Sequence, residues 1–131
     1  MLLVDDEPAI LKGLAALLRG RGYLVVTAQN GNAAVRVAAD NYVDLAVLDY
    51  HIPDWRGDVM LAAIAAHQPH LARRSVFITG DIGDSVQDII KHTGCPLLIK
   101  PFDFEELEWQ LLWLLYGAEG RPPKDEGAGA V

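Results

Sequence analysis

The chain has 131 residues, 51% hydrophobic and 22% charged, enough for one domain with a sizeable core and too few for two ordinary ones. A formal charge of −7 with no run of Lys or Arg argues against nucleic acid as a partner, and no apolar stretch reaches the length of a membrane span. One cysteine, Cys95, excludes an internal disulfide and makes a reducing cytoplasm the default; it precedes an apolar run and reads as a small buried hydrophobe.

In chain order, residues 2–4 form a short apolar strand that runs into Asp5 and Asp6. Only Met1 precedes it, as expected of a trimmed start or of a piece cut from a longer polypeptide. Pro8 suits a first helical turn, and Ile10, Leu11, Leu14, Leu17 and Leu18 recur at helical spacing before Gly20 and Gly22 stop the run. Residues 23–27 are aromatic and β-branched, hence a second strand. Asn30 and Gly31 open an Ala-rich helix to about Asp40. Residues 43–49 are an apolar run ending on Asp49, which reads as a strand buried on both faces. Pro53, Asp54, Trp55, Arg56 and Gly57 carry turn chemistry. Val59, Met60 and Ile64 mark a third helix, stopped before Pro69. Residues 75–79 are a fourth strand ending in Thr79. Asp84 and Ser85 can cap a helix that Gly94 ends. A fifth strand over 96–99 leads to Lys100 and Pro101. The spacing of Asp103 and Glu106 is an Asp variant of the capping box and opens a last helix to about Tyr116. Residues 117–131 have nothing to pack and read as a disordered tail.

Five strands alternating with five helices predict an α/β fold, a doubly wound five-stranded parallel sheet covered on both faces over residues 1–116. Open sheets of this kind hold ligands at the carboxyl ends of their strands. There the chain gathers Asp5, Asp6 and Asp49, a hydroxyl from Thr79 and an amine from Lys100. Three acids held together raise a pKa or share a cation, and oxygen ligands alone suit Mg²⁺. A carboxylate beside Mg²⁺, with cations around a phosphoryl group, can act as the nucleophile.

The pairs Asp5–Asp6, Thr79–Gly80 and Lys100–Pro101, with Asp49 after the third strand and Pro53 four residues on, resemble the receiver domain of two-component response regulators, over residues 1 to about 116. The resemblance implies a flavodoxin-like sheet of order 2-1-3-4-5. It makes Asp49 the acceptor of a phosphoryl group from a phosphohistidine on a histidine kinase or histidine phosphotransfer protein. Asp6 would hold Mg²⁺ directly and Asp5 through water, joined by Asp49 and the backbone carbonyl of His51. Thr79 and Lys100 would contact phosphoryl oxygens, and the Lys100–Pro101 bond would be cis. Such a domain phosphorylates and dephosphorylates itself but turns over no other substrate.

The pattern departs in two places. Many receivers carry an aromatic residue three positions before the Lys, where this chain has Leu97. In the last helix Phe104, Leu107, Leu111 and Leu114 can face the sheet, whereas Trp109, Leu112, Trp113 and Tyr116 form a second apolar face. That face reads as a contact with a second copy or another domain. It leans the reading towards the receiver segment of a hybrid histidine kinase rather than a stand-alone regulator. His51, His67, His70 and His92 lack ligand spacing and read as solvated surface; the side chains of His51 and Asp81 could tune how water reaches the acyl phosphate. Three alternatives remain. An Asp-nucleophile phosphatase would need an acid where His51 stands. A flavin-binding module would need a phosphate cradle where Asp5, Asp6 and Glu7 stand. The third is a constitutive interaction module on the same fold.

Overall fold

The computed structural model describes residues 1–117. The stretch expected to be a disordered tail lies, apart from Gly117, outside the described residues. Within them a parallel sheet has the order β2-β1-β3-β4-β5, formed by β1 (Leu2–Val4), β2 (Val26–Ala28), β3 (Ala46–Asp49), β4 (Ser75–Thr79) and β5 (Leu97–Ile99). The helices are α1 (Pro8–Gly20), α2 (Gly31–Asp40), α3 (Gly57–His67), α4 (Asp84–Thr93) and α5 (Phe104–Tyr116). The expected fold and strand order are both met.

Side chains alternate across each strand, so the sheet divides the core in two. Leu2, Val4, Ala46, Leu48 and Phe77 pack under α2, α3 and α4 with Ala34, Met60, Ile64 and Ile90. Leu3, Val47, Val76, Ile78 and Leu98 pack under α1 and α5 with Leu11, Leu14, Leu18, Leu107 and Leu111. All residues of β1, β3 and β4 are buried, which accounts for their near-continuous apolar sequence. Cys95 is buried as expected. Gly94 ends α4 with φ +78°, a left-handed conformation that glycine adopts without penalty.

Several local expectations need correction. The second strand begins at Val26, not Tyr23, because the Tyr23 amide still bonds the Leu18 carbonyl at the end of α1. The central ladder begins at Ala46: further back, the Val43 amide donates to Oε1 of buried Gln68 instead of to a neighbouring strand. Residues 51–56 are not a plain loop but an antiparallel ribbon, His51–Ile52 against Trp55–Arg56. Neither Asp84 nor Ser85 caps α4; Gly83 is its N-cap, and its amide donates to the Asp81 carboxylate. Asp103 is the N-cap of α5 through its carbonyl, with no side-chain bond. His70 is half-buried rather than solvated, stacked on Tyr42 and bonded to the Val43 carbonyl.

Candidate functional site

Each site residue stands at or just past the carboxyl end of a strand because the ladders align them. Leu48 pairs with Val4 and Asp49 with Ile78, and Thr79 pairs with Ile99, so Asp5, Asp49, Thr79 and Lys100 reach one edge of the sheet. Ligand oxygens of Asp5, Asp6 and Asp49 lie within 4.8 Å of one another. Asp5 and Asp49 are buried, whereas Asp6 is not.

Lys100 Nζ joins the two buried acids, donating to Asp5 Oδ2 and to Asp49 Oδ2, each at 3.1 Å. Lys100 precedes Pro101 across a cis peptide bond, and its amide donates to the Thr79 carbonyl at 2.7 Å. The remaining oxygen of each acid is held by backbone: the Glu7 amide donates to Asp5 Oδ1 and the His51 amide to Asp49 Oδ1, both at 3.0 Å. Thr79 Oγ1 accepts the Asp81 amide at 3.0 Å, which leaves its hydroxyl proton to donate elsewhere. His51 Nε2 and Asp81 Oδ2 stand 3.1 Å apart and link the segments that follow β3 and β4. Among the described residues, His67 and His92 are exposed and stand outside this cluster.

The electrostatics follow from the burial. Desolvation pushes the Asp49 carboxyl above its ordinary range; Lys100 pulls it back and Asp5 pushes it up again. Burial would lower Lys100, but hydrogen bonds to Asp5 and Asp49 and the charges of both acids outweigh it, and its pKa is raised. Among the described residues, Lys100 is thus paired with two of the three clustered acids, Asp5 and Asp49, and no ion pair joins Asp6. The donors are all hard oxygens in one cluster, a set that fits Mg²⁺ and is unsuited to softer metals.

Sequence reasoning missed two residues next to the site. Asp54 and Trp55, flagged only for turn chemistry, reach 22–23 residues back along the chain to the start of α2. No local sequence signal marks such a contact.

A doubly wound parallel sheet thus gathers three acids, a hydroxyl and a lysine at its carboxyl edge. Residues 1–111 match the family model described as response regulator receiver domain, and the chain belongs to that family. It is 37% identical over 107 residues to the transcriptional regulatory protein GlrR of Escherichia coli K12, an alignment covering 82% of this chain and 24% of GlrR. The signal receiver domain of an HD domain-containing protein from Pseudomonas fluorescens Pf-5 superposes with a TM-score of 0.79 at 30% identity, over 87% of this chain and 91% of that one. The receiver domain of the hybrid histidine kinase CckA does so with a TM-score of 0.68 at 31% identity, over 84% and 96%. The chain spans about a quarter of the curated relatives it matches first, 24–28% of their length. No described helix is long and apolar enough to cross a membrane.

Proposed function

We propose that this domain is a phospho-aspartate receiver in a two-component relay, located in the cytoplasm. Asp49 accepts a phosphoryl group from a phosphohistidine on a histidine kinase or histidine phosphotransfer protein. The observation that carries this reading is a single amine, that of Lys100, shared at 3.1 Å between two buried carboxylates at the carboxyl edge of the sheet.

The chain's own groups suit the transfer. A carboxylate oxygen of Asp49 forms the new bond to phosphorus while the phosphorus–nitrogen bond to the donor imidazole breaks and its electron pair returns to the ring. The His51 amide fixes the Asp49 carboxylate in place. The Lys100 amine and the Thr79 hydroxyl meet charge on the phosphoryl oxygens. Asp5, Asp6, Asp49 and the His51 carbonyl would hold Mg²⁺, which when bound offsets the acids' repulsion and neutralises phosphoryl oxygens. The His51–Asp81 contact links the segments that follow β3 and β4 beside the pocket, where the two side chains can tune how water reaches the acyl phosphate. The module then switches or relays a signal and turns over no second substrate.

Treatment with acetyl phosphate or phosphoramidate and Mg²⁺ is expected to add one phosphoryl group to the intact mass. The gain disappears with EDTA and in Asp49→Ala. An undiminished gain in Asp49→Ala would overturn the assignment. No gain in the folded wild-type protein would favour the constitutive interaction module.

We further propose that α5 meets another protein surface. Tyr116 is 62% exposed, while Trp109, Leu112 and Trp113 are half-buried against their own domain, so the apolar face is smaller than its sequence suggests. Among the described residues the Trp109 indole N–H is buried with no hydrogen-bond partner, an arrangement that costs about 1–3 kcal/mol and is relieved if packing against a partner re-aims the ring. For a homodimer, sedimentation equilibrium should show concentration-dependent association that Tyr116→Glu weakens. A wild-type protein monomeric throughout would count against it.

A further inference from the structure

The segment between β3 and α3 is pinned at both ends. At its base the Gly57 amide donates to the Tyr50 carbonyl at 3.1 Å, and a Cβ on Gly57 would stand 2.6–3.0 Å from Tyr50. In its middle the ribbon pairs His51 with Arg56 and Ile52 with Trp55. At its tip the Asp54 carboxylate accepts the first two amides of α2, Gly31 at 2.8 Å and Asn32 at 3.1 Å. The third amide, Ala33, is taken by the Asn30 side chain, so Asp54 supplies the caps that local sequence does not.

Trp55 completes the attachment. Its indole N–H donates to Asn32 Oδ1 at 2.9 Å, and its ring lies so close to Gly31 that a Cβ there would stand 2.3 Å from the ring. Only glycine allows this approach. The contact joins the start of α2 to a segment that begins one residue after Asp49.

We propose that Asp54 and Trp55 are positioning residues for the acid pocket: by clamping the ribbon to the first turn of α2 they hold the His51 backbone in place and so set the affinity for divalent cation. The proposal rests on the reading that Asp5, Asp6, Asp49 and the His51 carbonyl bind Mg²⁺. A carbonyl on a free segment must be ordered at the moment of binding, and that ordering subtracts from affinity; a carbonyl on a clamped ribbon is ordered beforehand. Linkage makes the effect reciprocal, so Mg²⁺ tightens the clamp. The two amides and the dipole of α2 favour the charged form of Asp54; although burial pushes the other way, its carboxyl is held below the usual range. The clamp thus persists at neutral pH.

The test is Mg²⁺ binding by isothermal titration calorimetry, with hydrogen exchange of residues 50–56 as a second readout. Asp54→Ala is expected to raise the Mg²⁺ Kd by about three- to tenfold and to speed exchange in the ribbon, and Asp54→Asn, which keeps one acceptor, falls between. Gly31→Ala, which leaves every hydrogen-bonding group present but forces the Trp55 ring away, moves Kd in the same direction. The double variant Asp54→Ala/Gly31→Ala is less than additive because both act on one clamp. A lower melting temperature with unchanged Kd would show that Asp54 only caps a helix and would overturn the proposal. Wild-type binding that is absent, or undiminished by Asp6→Asn, would instead overturn the cation site itself.

Discussion

Lys100→Ala is expected to destabilise the cation-free protein by about 3 kcal/mol, the low end of the range for removing one partner from a buried ion pair. The low end applies because the Lys100 side chain keeps 20% of its surface exposed, and water can partly replace it. What remains is Asp5 at 0% and Asp49 at 4% exposure, facing each other with Asp6 beside them and no cation. Asp49, already raised by burial, would be raised further. A carboxyl whose folded pKa exceeds its unfolded value brings no penalty below the unfolded pKa. The penalty grows as pH rises from the unfolded pKa to the folded pKa and is complete above it, where both states are ionised. The deficit of Lys100→Ala should therefore be small in acid and full at neutral pH. Mg²⁺ held at the proposed site would supply positive charge at the same place, so it should narrow the gap between variant and wild type. Urea denaturation at two pH values, in EDTA and in Mg²⁺, checks all three points. Equal stability of the two proteins in EDTA at neutral pH would contradict the account.

Phe77→Ala should cost about 3–5 kcal/mol, a large share of the ~5–15 kcal/mol that holds a domain of this size together. Phe77 is fully buried in β4, between β3 and β5, and meets the Tyr50 ring edge-on at 5.9 Å. Truncation opens a cavity where strands carrying Asp49 and Thr79 adjoin, and tight packing on both sides limits collapse. The measured quantity is the urea midpoint at unchanged m-value. A shift of less than about 1 kcal/mol would mean that the core closes over the gap.

The clustering of the candidate site residues could be read from the sequence because they punctuate strands. A carboxylate ending an apolar run is conspicuous in Asp49, and the bounds of β4 were legible to the residue because Ser75–Thr79 is buried along its whole length. Edges and ends were harder. β2 is an edge strand with one neighbour, so its register with β1, rather than its own composition, decides where it begins. The lead-in to β3 resembles strand but has its amide claimed by Gln68, a side chain 25 residues away. Asp84 and Asp103 both suit helix caps, yet at α4 the N-cap is Gly83, whose amide goes to Asp81 two residues earlier, and at α5 backbone suffices. The ribbon at His51–Arg56 was invisible because two-residue strands carry no periodicity. Its attachment to α2 depends on a contact between segments more than twenty residues apart.

The proposed function turns on Asp49 carrying the phosphoryl group. The most direct measurement is to phosphorylate the protein with acetyl phosphate and Mg²⁺, reduce the acyl phosphate with borohydride, and sequence the peptides by tandem mass spectrometry. Borohydride converts an aspartyl phosphate to homoserine and leaves ordinary carboxylates alone, so the account predicts homoserine at position 49 and nowhere else, absent when EDTA replaces Mg²⁺. Homoserine at Asp5 or Asp6, or a phosphoryl group retained on His51 or Thr79 with Asp49 intact, would contradict it.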